Sequence, residues 1–220
     1  MDKFNHLFKS YMKCIIGESE ELHNYAIHVL NAPLNELKQI ATGENWDSRD
    51  TYAFVVQNKN CPDEILRKYA EMCANENNDY LSLEYIVKNP NCSFETAKIA
   101  VDKAKQVGET DIISEFIKNE NFPAEARVGL LKEELEKLTG GSQEIDEKTS
   151  SKVFYFMNDV LFRCTDDKVA EGFLDFVENL DFDGDKSICW ILGDISRSKN
   201  FGKNIIGRAK LEYDRRQKNY

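Results

Sequence analysis

The chain has 220 residues, 41% hydrophobic and 31% charged, enough to bury a core as one elongated domain or two small ones. Its net charge of −10 argues against general nucleic-acid binding, which needs surplus lysine and arginine to neutralise phosphates. No apolar run approaches the roughly 18–20 residues that span a bilayer, so no membrane contact is expected.

The N-terminal stretch MDKFNHLFKSYMKCIIGESE has an acid at position 2 and no small-residue cleavage site after an apolar block. It predicts a cytoplasmic protein without a secretory signal. In a reducing cytosol the six cysteines stay thiols. Cys61 and Cys92 share one slot of a repeated motif, where a small apolar side chain packs at a turn; Cys14, Cys73, Cys164 and Cys189 are isolated. There is no CxxC, and His6, His23 and His28 lack metal-site spacing. Neither a metal nor a cofactor is expected. Richness in Asn, Lys, Ile, Glu, Phe and Tyr suggests an AT-rich coding genome, such as that of a low-GC bacterium or its phage.

In chain order, APLNELKQIA (32–41) is a degenerate first copy of a repeated block, with Pro33 in its second position. Three clear copies come next: NKNCPDEILRKYA at Asn58, NPNCSFETAKIAV at Asn89 and NENFPAEARVGLL at Asn119. Their starts lie about 30 residues apart, a period that marks a stacked repeat array. Taking Cys61, Cys92 and Phe122 as N-caps puts Pro62 and Pro123 at the first helical position and Glu64, Glu95 and Glu125 at the third. The cap could equally be Asn60, Asn91 or Asn121. Each helix then carries one apolar stripe, such as Ile65, Leu66, Tyr69 and Ala70. Before each turn runs a shorter apolar segment, at Tyr52–Val56, Leu83–Val87 and Ile112–Ile117. Period and place favour a short helix over a strand. Asn58, Asn89 and Asn119 would end that helix in the left-handed conformation that Asn tolerates.

Beyond the third copy, LTGGSQEIDEKTS lacks apolar periodicity, making 140–150 a candidate loop or hinge between helical repeats at 1–139 and at 151–220. Residues 150–180 read as another helix pair, and SKNFGKNIIGRAKLEY as a last copy with Phe201 in the slot of Phe122.

The Asn89-Pro90-Asn91-Cys92 turn and its following amphipathic helix resemble α-helical solenoid repeats of the HEAT and armadillo-like kind. The pattern is closest to leucine-rich-repeat-variant repeats. The resemblance covers about residues 50–135 well and the rest loosely. It implies an all-α, right-handed superhelix of about six helix pairs, used as a scaffold along a groove; it transfers no active site.

Two charge features carry the functional expectations. Asp167, Glu171, Asp175 and Glu178 recur at i, i+4, i+8 and i+11, along one helix face. They form either a docking strip for a basic partner or a solvated outer face. Residues 197–220 are net +6 and residues 1–196 net −16. Arg208, Lys210, Arg215, Arg216 and Lys218 could position nucleic-acid phosphates, or complement a helix dipole and pair with the acidic repeat next to them. Asp181-Phe-Asp183-Gly184-Asp185 resembles a calcium loop, but Gly184 stands fourth and Leu192 twelfth, where an EF-hand needs Gly sixth and Glu twelfth. No GxSxG, phosphate loop or HExxH occurs.

The expected function is a non-enzymatic protein-binding scaffold. A sharper form is a small acidic inhibitor or adaptor, phage-encoded, docking its strip on a basic host protein surface. The alternative is a nucleic-acid binder using the C-terminal basic segment.

Overall fold

The structure, a computed structural model, describes residues 20–42, 49–75, 80–180 and 186–217. Among them are twelve helices: α1 (Glu20–Asn31), α2 (Leu34–Thr42), α3 (Arg49–Gln57), α4 (Asp63–Asn75), α5 (Tyr80–Lys88), α6 (Phe94–Val107), α7 (Thr110–Lys118), α8 (Ala124–Thr139), α9 (Glu147–Arg163), α10 (Asp167–Glu178), α11 (Lys186–Arg197) and α12 (Lys203–Gln217). The fold is all-helical over these residues. The three short apolar segments ambiguous between helix and strand lie in α3, α5 and α7.

The chain divides into two compact units, 1–100 and 101–220, with the division inside α6. In the first, α1 packs on α3 and α3 on α5, while α4 lies against both α3 and α5. The core there is mostly aliphatic around one tyrosine: Ala26, Val29, Leu37, Val55, Leu66, Tyr69, Leu83 and Ile86 are fully buried. In the second, α7, α9 and α11 pack in sequence as one layer, and α8, α10 and α12 as another. Residues 140–146 form a turn within this unit. Gly140, at φ 63°, and Gly141, at φ 71°, take the left-handed conformation that ends α8, Gly141 N donating to Glu136 O at 2.9 Å.

The repeated turn is built alike in each clear copy. Asn58 N donates to Val55 O and Cys61 N to Asn58 O; the same pair of bonds recurs at Asn89 and at Asn119. Because that turn uses the first residue of each block, the next helix starts later than expected. Pro123, not Phe122, is the N-cap of α8, and α4 and α6 likewise begin after Pro62 and Ser93. The prolines therefore cap rather than open the helices, with their carbonyls accepting the first helical amides. Ser93 Oγ does the capping for α6, accepting from Thr96 N.

The left-handed expectation fails at Asn119, whose φ of −77° and ψ of 103° are extended. The physical reason is the job of the side chain. Oδ1 of Asn58, Asn89 and Asn119 accepts the amide two residues on, at 2.7, 3.0 and 3.0 Å, which fixes an Asx turn. In the first unit that leaves Nδ2 aimed at the preceding turn and helix end. Asn58 Nδ2 donates to Val29 O and Ala32 O, and Asn89 Nδ2 to Val56 O and Asn58 O. A second asparagine repeats the move: Asn60 donates to Ala32 O, and Asn91 to Lys59 O and Cys61 O. Both Asn58 and Asn89 are buried, and the carbonyls they serve belong to helix ends and turns that lack helical donors.

An aspartate at a helix start adds a further long-range bond. Asp63 Oδ1, at the start of α4, accepts Ser93 N at 2.7 Å; Asp167 Oδ1, at the start of α10, accepts Gly202 N at 2.8 Å. A Cβ at Gly202 would meet the Asp167 carboxylate, which would have to turn away from the amide it accepts.

Candidate protein-binding surface

The acidic face of α10 forms as the register predicts, but it is answered from within the chain. Arg208 of α12 reaches Glu171 at 3.5 Å, Asp175 at 2.9 Å and Glu178 at 2.9 Å. Lys132 of α8 stands 3.7 Å from Asp175. The hydrogen bonds that Arg208 donates to Asp175 and then Glu178 raise its pKa, holding it firmly charged. Asp167 is engaged by the Gly202 amide. The three glutamate and aspartate side chains that share Arg208 remain 42–49% exposed, so the strip is shielded rather than covered.

Part of the basic segment is engaged within the chain. Arg216 is buried and donates through Nη2 to Val177 O and Leu180 O, closing the C-terminal end of α10, while its Nε bonds Glu212. Cations near a helix C-terminus complement its dipole, as the blander expectation has it. Arg215 also pairs with Glu212, at 2.7 Å. Lys210 is exposed. Lys218 lies outside the described residues, as do the 181–185 loop, Cys14 and His6. His28 meets Glu36 at 2.8 Å. Among the described residues no cluster of three or more His, Cys, Asp or Glu could hold a metal ion, and no helix is long and apolar enough to cross a membrane.

Polar groups sunk between the helices of the second unit hold its layers together. Arg127 of α8 is buried, donating through Nη1 to Ile117 O and through Nε to Phe122 O, both at 3.2 Å, and pairing with Asp166. Asp166 also caps α10, accepting Lys168 N at 2.8 Å. Between α7 and α9, Asp159 takes hydrogen bonds from Ser114 and Lys118, and Lys118 also meets Glu115. Ser114 is buried and Lys118 almost so, which suits a seam between helices better than a nucleophile and its base. Burial pushes the Cys61 and Cys92 thiols up to about 12, with Asp63 adding to it, and raises Cys164 as well. All three thiols are buried in the packing of their turns.

Besides Leu211 on α12, two strongly exposed aromatic residues mark a different surface. Tyr155 on α9 is 72% exposed and Trp190 on α11 is 65% exposed, and these two helices pack on each other. Between them lies a groove of about 320 Å³, lined by Asn158 and Leu161 from α9, and by Ile191, Asp194 and Ile195 from α11. Ser198, Asn200 and Phe201 of the following turn close one end. Sequence reading missed it because both rings sit inside apolar runs, FYFM and ICWIL, that look like core. Helical register was the available signal: Val153, Met157 and Val160 face in, which turns Tyr155 out.

Comparison with family models, with curated proteins and with solved structures finds no match for this chain.

Proposed function

We propose that the chain is a non-enzymatic helical-repeat scaffold of the solenoid kind, about six helix pairs, that binds another protein. The pairwise order of twelve short helices supports the repeat reading, as do alternate helices packing on one another within each unit and turns tied to turns by asparagine. One observation carries the binding reading: two large aromatic side chains stand in solvent on adjacent helices. Tyr and Trp offer broad, stiff contact area with a polar tip, and they dominate the energetics of protein interfaces. A Tyr155→Ala/Trp190→Ala double variant would be compared with the unaltered chain by co-purification and mass spectrometry from the native host. A partner retained by the unaltered chain and lost by the variant supports this reading. Identical capture profiles would reject it.

A second reading, an acidic inhibitor or adaptor docking on a basic host surface, draws on the strip at Glu171, Asp175 and Glu178. Its carboxylates outnumber the Arg208 and Lys132 cations beside them, and they keep much of their exposure. Capture that persists unchanged at high salt would count against it, because exposed charges are screened. The nucleic-acid alternative has less to draw on, since Arg208 and Arg216 are spent on α10. It would rest on Lys210 and Arg215; no mobility shift at low salt with DNA or RNA removes it.

A further inference from the structure

We propose that the cavity between the C-terminal ends of α8 and α10 takes an arginine side chain from a partner protein, held by Glu136 and Asp175 against the ring of Phe176. The proposal rests on the adaptor reading of the acidic strip and gives that strip one point of entry.

The two helices pack on each other, and residues of their last turns surround a space of about 270 Å³. Pockets for whole small molecules run from about 300 to 1,000 Å³, so this one suits a single long side chain. Its lining is divided in chemistry. Glu136 of α8 and Asp175 of α10 supply carboxylates, Phe176 and Leu180 supply apolar surface, and Gln143 comes from the turn after α8. Phe176 is only partly buried, so its ring can be reached. Both helices also end here, and the negative end of a helix dipole favours a cation.

The charges around the cavity do not balance. Glu136, Glu171, Asp175 and Glu178 face two cations, Lys132 and Arg208. Arg208 takes one oxygen of Asp175, while Lys132, half exposed, stands 3.7 Å from the other. Glu136 is exposed and makes no ion pair among the described residues. Surplus negative charge therefore lies beside apolar surface. A metal ion does not fit, since no set of described ligands could hold one.

An arginine answers both halves. Its planar, weakly hydrated guanidinium stacks on an aromatic ring and offers a fork of donors to carboxylates, and its methylenes cover apolar surface. Lysine, a strongly hydrated point charge, matches neither as well. The chain itself places this group at two other helix ends. Arg216 donates to Val177 O and Leu180 O beyond α10, and Arg127 to Ile117 O at the end of α7. No arginine among the described residues lines the cavity beside α8.

The test titrates the isotope-labelled full chain, at low salt and followed by NMR, with the peptide acetyl-Ala-Gly-Arg-Gly-Ala-amide. The same peptide is also made with lysine or with citrulline, which is neutral and of the same shape. The arginine peptide is expected to shift the amides of Gly141, Gln143 and Asn179, which line the cavity; lysine should shift them less and citrulline not at all. Glu136→Gln, an exposed change that disturbs no ion pair, should weaken binding about tenfold, the scale of one lost charge-assisted hydrogen bond. Lys132→Gln removes the resident cation and should tighten binding about two- to fivefold. The site would be overturned by no shift, by equal shifts with citrulline or lysine, or by shifts scattered over acidic residues elsewhere. Unchanged affinity for Glu136→Gln, or weaker binding to Lys132→Gln, would overturn it too. Each of these outcomes concerns the pocket alone and leaves the adaptor reading to its own test, partner capture that weakens with salt.

Discussion

Asn89 donates from Nδ2 to the carbonyl oxygen of Asn58 at 3.0 Å, so each residue of this pair holds the same place in successive turns. The same nitrogen also serves Val56 O at 2.7 Å, and Oδ1 accepts Asn91 N. One buried side chain thus closes its own turn and fastens it to the previous one.

Asn89→Ala removes that donor, strands the Val56 carbonyl and leaves Asn58 O with Cys61 N alone. The expected loss is about 1–3 kcal/mol, from the desolvation cost of a buried group left without a partner. Urea unfolding should show a lower midpoint at an unchanged m-value. Asn89→Asp keeps the shape and the turn acceptor but turns an anion toward two carbonyls, and should be at least as damaging. A loss below about 1 kcal/mol for Asn89→Ala would mean that the rung contributes little.

Gly202 and Asp167 should behave as a coupled pair. Gly202→Ala drives a methyl into the carboxylate that accepts the Gly202 amide, with an expected cost of about 1–3 kcal/mol. In the Asp167→Ala background the collision is gone, so the same substitution should cost much less. A double-mutant cycle reads the coupling directly, and additive effects would refute the contact.

Removing Arg208 leaves Glu171, Asp175 and Glu178 crowded on one face. Arg208→Ala should destabilise by about 1 kcal/mol, given how much solvent the carboxylates see. Added salt should recover part of this loss, since what remains is repulsion between exposed charges. A deficit that grows with salt would point to something other than charge.

The buried thiols give a pH prediction with a definite sign. Cys61 and Cys92 rise from 9.0 to about 12 on folding, chiefly because burial disfavours the thiolate. The folded state therefore loses nothing below pH 9, while above it the unfolded chain gains by ionising and stability falls through about pH 12. In a Cys14→Ser background the native protein should react slowly with a thiol reagent at pH 8, and reaction should follow unfolding in urea. Replacing Cys61 and Cys92 with Ala should flatten the alkaline arm of the stability profile.

Much of the helical order was legible because apolar period and turn chemistry mark the same boundaries. Pro62, Ser93 and Pro123 announced where helices begin to within a residue, and the offset arose because the Asn-x-Asn turn consumes one more residue than a plain cap. The role of Asn58 and Asn89 was hidden for a different reason. Their acceptors are backbone carbonyls 26 to 33 residues away, and a main-chain oxygen leaves no trace in the letters. The acidic stripe was visible and its answering arginine was visible too, but only packing could bring Arg208 across to Asp175. Tyr155 and Trp190 were masked by their apolar neighbours, whose burial says nothing about the residue between them.

The asparagine rungs bind to main chain alone, and this has an evolutionary consequence. A newly duplicated block would find its acceptor waiting whatever side chains its neighbour had drifted to, so only the donor has to be inherited. Copies could then diverge quickly across their outer faces, be lengthened, or be reordered, without mutual adjustment. Divergence of that sort leaves a lineage whose kinship survives in a few amides rather than in overall likeness.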